Sequence, residues 1–200
     1  MDSAMLLTDE MLMMETCNGS LPAFELLVQR WDKRMLNYLY RCVGDRAEAE
    51  DLRQELFLKL YNNRKSFDGK RNFQPWLYRI AANLVIDKIA RKKKPVMEAI
   101  HEQNGDSVPV LQETQEKHSR GRAMMNEIAD RIKTALETIP GEERIVLIMR
   151  HYENLTFKEI AQVLDTPEST VKTRLYHGLR LLRDQLKRMG IVGMECMQPN

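Results

Sequence analysis

Two hundred residues, 43% apolar and 30% charged with only 6% aromatic, suffice for one packed domain or two small ones. No run of about 18 apolar residues is present, so no membrane span is expected. Asp9, Glu10 and Glu15 interrupt the Met-rich start, which lacks the basic n-region of a signal peptide. The net charge of +2 conceals strong local bias. Three cysteines, Cys17, Cys42 and Cys196, show neither disulfide nor metal spacing, which points to a reducing compartment and inert thiols, with a redox-sensing pair as the alternative. Nine glycines and seven prolines fall mostly between periodic segments, so an all-α fold is expected.

Residues 1–22 read as a weak amphipathic N-terminal arm, closed by Asn18, Gly19 and Ser20. After Pro22, Phe24, Leu27, Val28, Trp31, Met35, Leu39 and Cys42 recur at helical steps, and Gly44 stops the helix. Asp45 with Glu48 resembles a capping box for a second helix, whose buried stripe is Leu52, Leu56 and Leu60, widened by Phe57. A loop over 66–72 turns at Asp68 and Gly69. Pro75 then sits in the first turn of a third helix carrying Trp76, Leu77, Ile80, Ala81, Leu84 and Ile89, and Pro95 ends it.

The stretch 64–94 holds ten Lys/Arg and two acids, Asp68 and Asp87. Phe67, Phe73, Trp76 and Tyr78 lie among those charges, with Tyr61 just upstream. Basic surfaces bind phosphate without regard to sequence, and aromatic faces stack on unpaired bases. The mixture suits a protein that handles opened nucleic acid. Trp76 and Tyr78 also fit helical spacing, and a core role is favoured for Trp76.

Periodicity fails from 96 to 120, which reads as a flexible linker. It returns with Met125, Ile128, Ile132, Leu136 and Ile139, breaks at Pro140 and Gly141, and resumes with Ile145, Val146, Ile148, Met149 and Tyr152 up to Asn154. Thr156 and Glu159 then form a capping box before Ile160, Ala161, Val163 and Leu164. Asp165, Thr166 and Pro167 make a turn, and a longer helix follows with Val171, Leu175, Leu179 and Leu182. Ala161 is small where the helices cross, and Val171 should face it. Between Pro167 and Arg188 there are six Lys/Arg and two acids. A short helix, a tight turn and a basic second helix make a helix-turn-helix, whose early second-helix residues enter a major groove. On the helix over 46–62, Asp51 and Glu55 share a face with Gln54 beside them, an acidic patch suited to docking another protein.

Three segments, AEAEDLRQELFLKLY, FQPWLYRIAANLVIDKIARKKK and LTFKEIAQVLDTPESTVKTRLYHGLRLLR, in this order and spacing, resemble a bacterial RNA polymerase sigma factor of the extracytoplasmic-function (ECF) type in the sigma-70 family. The resemblance implies two small helical domains joined by a flexible linker: region 2 over 23–94 and region 4 over 125–188. A linker over 95–124 joins them, and a tail over 189–200 follows. It implies that Asp51, Gln54 and Glu55 dock on core polymerase. In the same terms, the 66–73 loop, with Lys70, Arg71, Asn72 and Phe73, captures an unpaired base of the −10 element. Arg79, Asn83, Asp87 and Arg91 face that element along the following helix, and Ser169, Lys172, Thr173, Arg174, Tyr176, His177 and Arg180 read the −35 element. The implied partners are core RNA polymerase (beta-prime clamp and beta flap), promoter DNA and an anti-sigma factor able to hold this cytoplasmic protein at the inner membrane.

No small-molecule substrate, cofactor or metal is expected. His101, His118, His151 and His177 are scattered, and no nucleophile motif or phosphate loop appears, which argues against an enzyme. A dimeric repressor or activator would need a dimerisation surface matched to a palindrome, whereas this chain offers two unlike basic segments. A binder of structured RNA is the weakest alternative.

Overall fold

The computed structural model describes residues 7–93 and 131–191, and every regular element among them is helical. Met125, Ile128, Cys196, the linker over 95–124 and most of the tail lie outside the described residues.

The first half comprises α1 (Asp9–Cys17), α2 (Leu21–Val43), α3 (Arg46–Asn62), a 3₁₀ turn (Arg64–Ser66) and α4 (Phe73–Lys93). The second comprises α5, described over 131–137, α6 (Gly141–His151), α7 (Phe157–Leu164) and α8 (Glu168–Arg188).

Local chemistry sets the helix boundaries. Ser20 caps α2 by accepting the Ala23 N–H, and Gly44 ends it in the left-handed region at φ 82°. Leu27, Trp31, Met35, Tyr38, Leu39 and Cys42 form its buried stripe, each such side chain contributing about 1.5–3 kcal/mol on burial. Asp45 caps α3 by accepting the Glu48 N–H at 2.8 Å. The Glu48 carboxylate does not return to Asp45; it pairs with Lys92 at 2.7 Å and Lys88 at 3.4 Å on α4. Only half of the expected capping box therefore forms, because two ammonium groups attract a carboxylate more strongly than one amide does. The box at α7 is complete: Thr156 Oγ1 accepts the Glu159 N–H, and Glu159 Oε2 accepts the Thr156 N–H. Asp165 turns the chain in the left-handed region at φ 49°, as the turn between the two helices requires.

Within the N-terminal arm, α1 packs into the first half. Leu12 and Met13 are fully buried, and α1 packs on α2, α4 and the 3₁₀ turn. Asp9 accepts from Arg30 and from the Trp31 ring nitrogen, each at 2.9 Å. Leu12 and Met13 lie in so short an apolar run that their partners, spread over α2 and α4, are invisible locally.

The two halves do not stand apart. Side chains of α2, α4, α6, α7 and α8 share one continuous apolar core. Glycines permit the closest approaches: a Cβ on Gly141 would lie 2.7 Å from Ile89 Cδ1, and one on Gly44 would lie 2.8 Å from Glu137 Oε1.

Candidate nucleic-acid and polymerase interfaces

On α3, Leu52, Leu56 and Leu60 turn inward, which leaves Asp51, Gln54 and Glu55 exposed together. Glu55 pairs with Lys59 at 3.1 Å. One turn on, Leu58 is 65% exposed and extends the acidic face with an apolar knob. Sequence reasoning passed over Leu58; the signal was an apolar residue off the 52/56/60 stripe.

The loop before α4 is shaped by Asp68, whose Oδ1 accepts the Lys70 N–H at 3.1 Å and whose carbonyl accepts the Arg71 N–H at 2.8 Å. Lys70, Arg71 and Asn72 are exposed. Phe73 is not, and its expected role in base capture is corrected here. Its ring is 0% exposed, surrounded by Trp31, Phe67 and Trp76, so no face is open to a base. Its N–H donates to Glu10 Oε1 at 2.9 Å, a carboxylate cap on α4 supplied by α1. That bond holds the Glu10 carboxyl below its usual range. Phe67 and Tyr78 are likewise core, and Tyr61 leans on Phe24. Trp76 is half-buried and retains some open surface.

Beyond the loop, Arg79, Asn83, Asp87 and Arg91 are all exposed at successive four-residue steps, a single polar stripe along α4. The start of that stripe borders the second half. A cleft of about 590 Å³ is lined by Lys70, Arg71, Trp76 and Arg79 on one side and by Glu159 and Asp165 of the helix-turn-helix on the other.

On α8, Val171 and Leu175 face α6 and α7 while Ser169, Lys172, Thr173, Tyr176 and Arg180 are exposed. Lys172 pairs with Glu168 at 2.8 Å, which raises its pKa, and its ammonium lies 5.4 Å from the Phe157 ring. Two expected readers turn elsewhere. Arg174 pairs with Glu142, and His177 Nδ1 lies 3.1 Å from Glu143 Oε1, both acids in the first turn of α6. Gly178 permits this approach, since a Cβ there would lie 3.3 Å from Glu143 Cβ.

Cys42 is fully buried and its thiol is pushed up to about 12 by burial, the mark of an inert group. Cys17 donates to the Arg64 carbonyl at 2.9 Å. Among the described residues, no cluster of His, Cys, Asp or Glu has metal-ligand geometry, and no helix is long and apolar enough to cross a membrane.

Comparison with known proteins identifies both halves of the chain. Sigma-70 region 2 matches residues 27–94, and Sigma-70 region 4 matches residues 129–182. The ECF RNA polymerase sigma factor SigW of Bacillus subtilis is 36% identical over 172 residues, covering 84% of this chain and 91% of that protein. The ECF RNA polymerase sigma-E factor of Escherichia coli K12 is 28% identical over 185 residues, covering 90% and 95%. CnrH in complex with the cytosolic domain of CnrY shares the fold with a TM-score of 0.66 at 21% identity, covering 90% of this chain and 97% of that one. The sigma factor RpoE of Bartonella quintana, in complex with the anti-sigma factor NepR, shares it with a TM-score of 0.60 at 18% identity, covering 82% and 96%. With both sigma regions in order and such identity over nearly the whole of a relative, the chain belongs to the ECF RNA polymerase sigma factors of the sigma-70 family, proteins of transcription initiation.

Proposed function

We propose the following division of labour for this sigma factor. Residues 23–94, braced by α1, form the half that docks on core polymerase and reads the −10 element. The acidic face of Asp51, Gln54, Glu55 and Leu58 meets the beta-prime clamp. Lys70, Arg71 and Asn72 hold the opened strand, with the partly exposed Trp76 lining the same cleft, and Arg79, Asn83, Asp87 and Arg91 track the element along α4. Residues 125–188 form the half that lies on the beta flap and reads duplex −35 DNA through Ser169, Lys172, Thr173, Tyr176 and Arg180. Arg174 and His177 act one step back, by fixing α8 against α6.

Melting then needs no hydrolysis and no cofactor. Binding energy is spent on the open state, because the capture surface has differential affinity for the flipped base. An anti-sigma factor is proposed as the regulator, a kind of partner present in a structural neighbour, and the protein is proposed to act in the cytoplasm.

The observation that carries this reading is the pairing, on one chain, of the exposed polar stripe of α4 with a separate helix-turn-helix motif whose second helix exposes Lys172, Thr173, Tyr176 and Arg180. Run-off transcription with purified core polymerase and a library of promoter fragments tests it. Discrete promoter-dependent transcripts are expected. Tight binding to core without any such transcript would favour a helix-turn-helix repressor or activator instead.

A further inference from the structure

Glu153 is a carboxylate with 3% exposure that promoter recognition leaves unused. It sits in the loop between α6 and α7, where the next residue, Asn154, takes a left-handed conformation at φ 57°. Arg34 Nε donates to Glu153 Oε2 at 2.9 Å, the Tyr78 hydroxyl donates to the same oxygen, and Arg41 Nη1 stands 3.9 Å from Oε1. The Glu153 carbonyl accepts from Arg34 Nη2 at 3.2 Å and from Gln74 Nε2 at 3.3 Å. Each of these partners belongs to the first half. The surroundings are built for the contact: Arg34 lies over the Trp31 and Tyr78 rings, and Arg41 lies over Tyr152.

A buried carboxylate is tolerated only where its charge is matched and its lone pairs are filled. Here both conditions hold solely while the halves are together. In that state α7 packs on α4 and the helix-turn-helix closes over the start of the −10 stripe. Size makes the closed state incompatible with reading both elements. Their names place them about 25 base pairs apart, or about 85 Å at 3.4 Å per pair. A compact chain of 200 residues has a radius of gyration of about 16 Å and is about 40 Å across.

We propose that Glu153 is an intramolecular latch: through Arg34 and Tyr78 it holds the two halves closed over the −10 face, and it releases before polymerase and both promoter elements are engaged. The latch rests on the sigma-factor reading for its consequence but not for its detection. Closure lowers the population competent for polymerase, so weakening the latch strengthens apparent binding.

The test uses the full chain with Glu153→Gln and, separately, Tyr78→Phe, which removes one hydroxyl and keeps the ring. Small-angle scattering of the free protein should show a larger radius of gyration for both variants, and binding to core polymerase should tighten by roughly tenfold, the scale of a lost charge-assisted hydrogen bond. Variants with wild-type helical content, wild-type dimensions and wild-type core affinity would overturn the latch.

Should either substitution reduce helical content, a lock decides the matter from the other direction. Ile89→Cys with Gly141→Cys joins the halves where a Cβ at 141 would lie within 3.7 Å of both γ-carbons of Ile89, close enough for a disulfide between the two positions. The oxidised form should be at least tenfold less active in run-off transcription than the same protein after reductant, with the unsubstituted chain indifferent to the same treatment. Full transcription from the oxidised form overturns the proposal. If reduced and unsubstituted proteins both fail to transcribe, the sigma reading is what has failed, and scattering alone judges closure.

Discussion

The 64–94 segment and α8 both set aromatics among lysines and arginines, Phe67, Phe73, Trp76 and Tyr78 in the first and Tyr176 in the second, yet the protein uses them in opposite ways. In α8, Tyr176 lies off the Val171, Leu175, Leu179 stripe and points to solvent at 46% exposure. In the earlier segment, Phe67, Phe73 and Tyr78 go into the core and leave the outer surface to Lys70, Arg71, Asn72 and the polar stripe of α4. An aromatic among charges is therefore a candidate for base stacking only once its angular position against the buried stripe is known. A helix can carry a basic face and an aromatic core face in one run of sequence, because the two are separated by angle and not by distance along the chain.

That contrast can be broken most directly at Phe73 and Tyr176. Phe73→Ala should destabilise the protein by about 3–5 kcal/mol, the cost of emptying a packed aromatic site, as measured by urea denaturation. Tyr176→Ala should stay within about 0.5 kcal/mol. Equal stabilities would mean that Phe73 is not a core residue after all.

A smaller effect separates readers from braces on α8. Lys172→Ala should weaken binding to −35 duplex by about 1–3 kcal/mol and, if it reads a base, relax specificity at one position, with stability nearly unchanged. Arg174→Ala breaks a pair with Glu142 that fixes α8 on α6, so its loss should appear in stability as well as in DNA binding. A fluorescence-anisotropy titration beside a thermal melt distinguishes the two patterns.

Glu10 sharpens the comparison on the first half. Its carboxylate caps α4 from α1, and Glu10→Gln should cost about 1 kcal/mol, the usual worth of a capping group. The sign with pH follows from its lowered pKa, whose first cause is the Phe73 N–H. A carboxyl depressed in the folded state stabilises above its unfolded pKa and loses that contribution as pH falls through the folded one. The wild type should therefore lose stability relative to Glu10→Gln on acidification below the ordinary carboxylate range, in denaturation curves taken across pH. Parallel curves for the two proteins would remove Glu10 from the account.

On α3 the expected effect falls on binding and little on the fold. Asp51→Ala with Glu55→Ala should leave stability within about 1 kcal/mol while weakening core polymerase binding markedly, and Leu58→Ala should weaken it in the same assay. Unchanged affinity in a pull-down titration would show that this face docks nothing.

Much of this was legible without coordinates. The helical periods of α2, α3, α4 and α8, the cap at Thr156 and the left-handed turn at Asp165 all rest on interactions within a few residues, so local pattern suffices. The exposure of Asp51, Gln54 and Glu55 follows from the position of their leucine neighbours by the same logic. What stayed hidden involves residues far apart in sequence. The packing of α1 rests on Leu12 and Met13 meeting α2 and α4, and the Glu10 cap spans 63 residues to Phe73. Arg174 and His177 belong to any reading of a basic helix face until Glu142 and Glu143 are seen opposite them.

Glu153 shows the division most plainly. In the sequence it is one acid in a polar turn after Tyr152, where solvent exposure is the natural expectation. The fold places it 119 residues from Arg34 and 75 from Tyr78 in sequence and within hydrogen-bond reach of both. Sequence determined the helices, their caps and the two sigma regions, because those depend on periodicity and short-range hydrogen bonds. Only the tertiary structure decided which aromatics are core, which charges face one another and how the halves close, because burial and pairing depend on elements that meet only after the chain has folded.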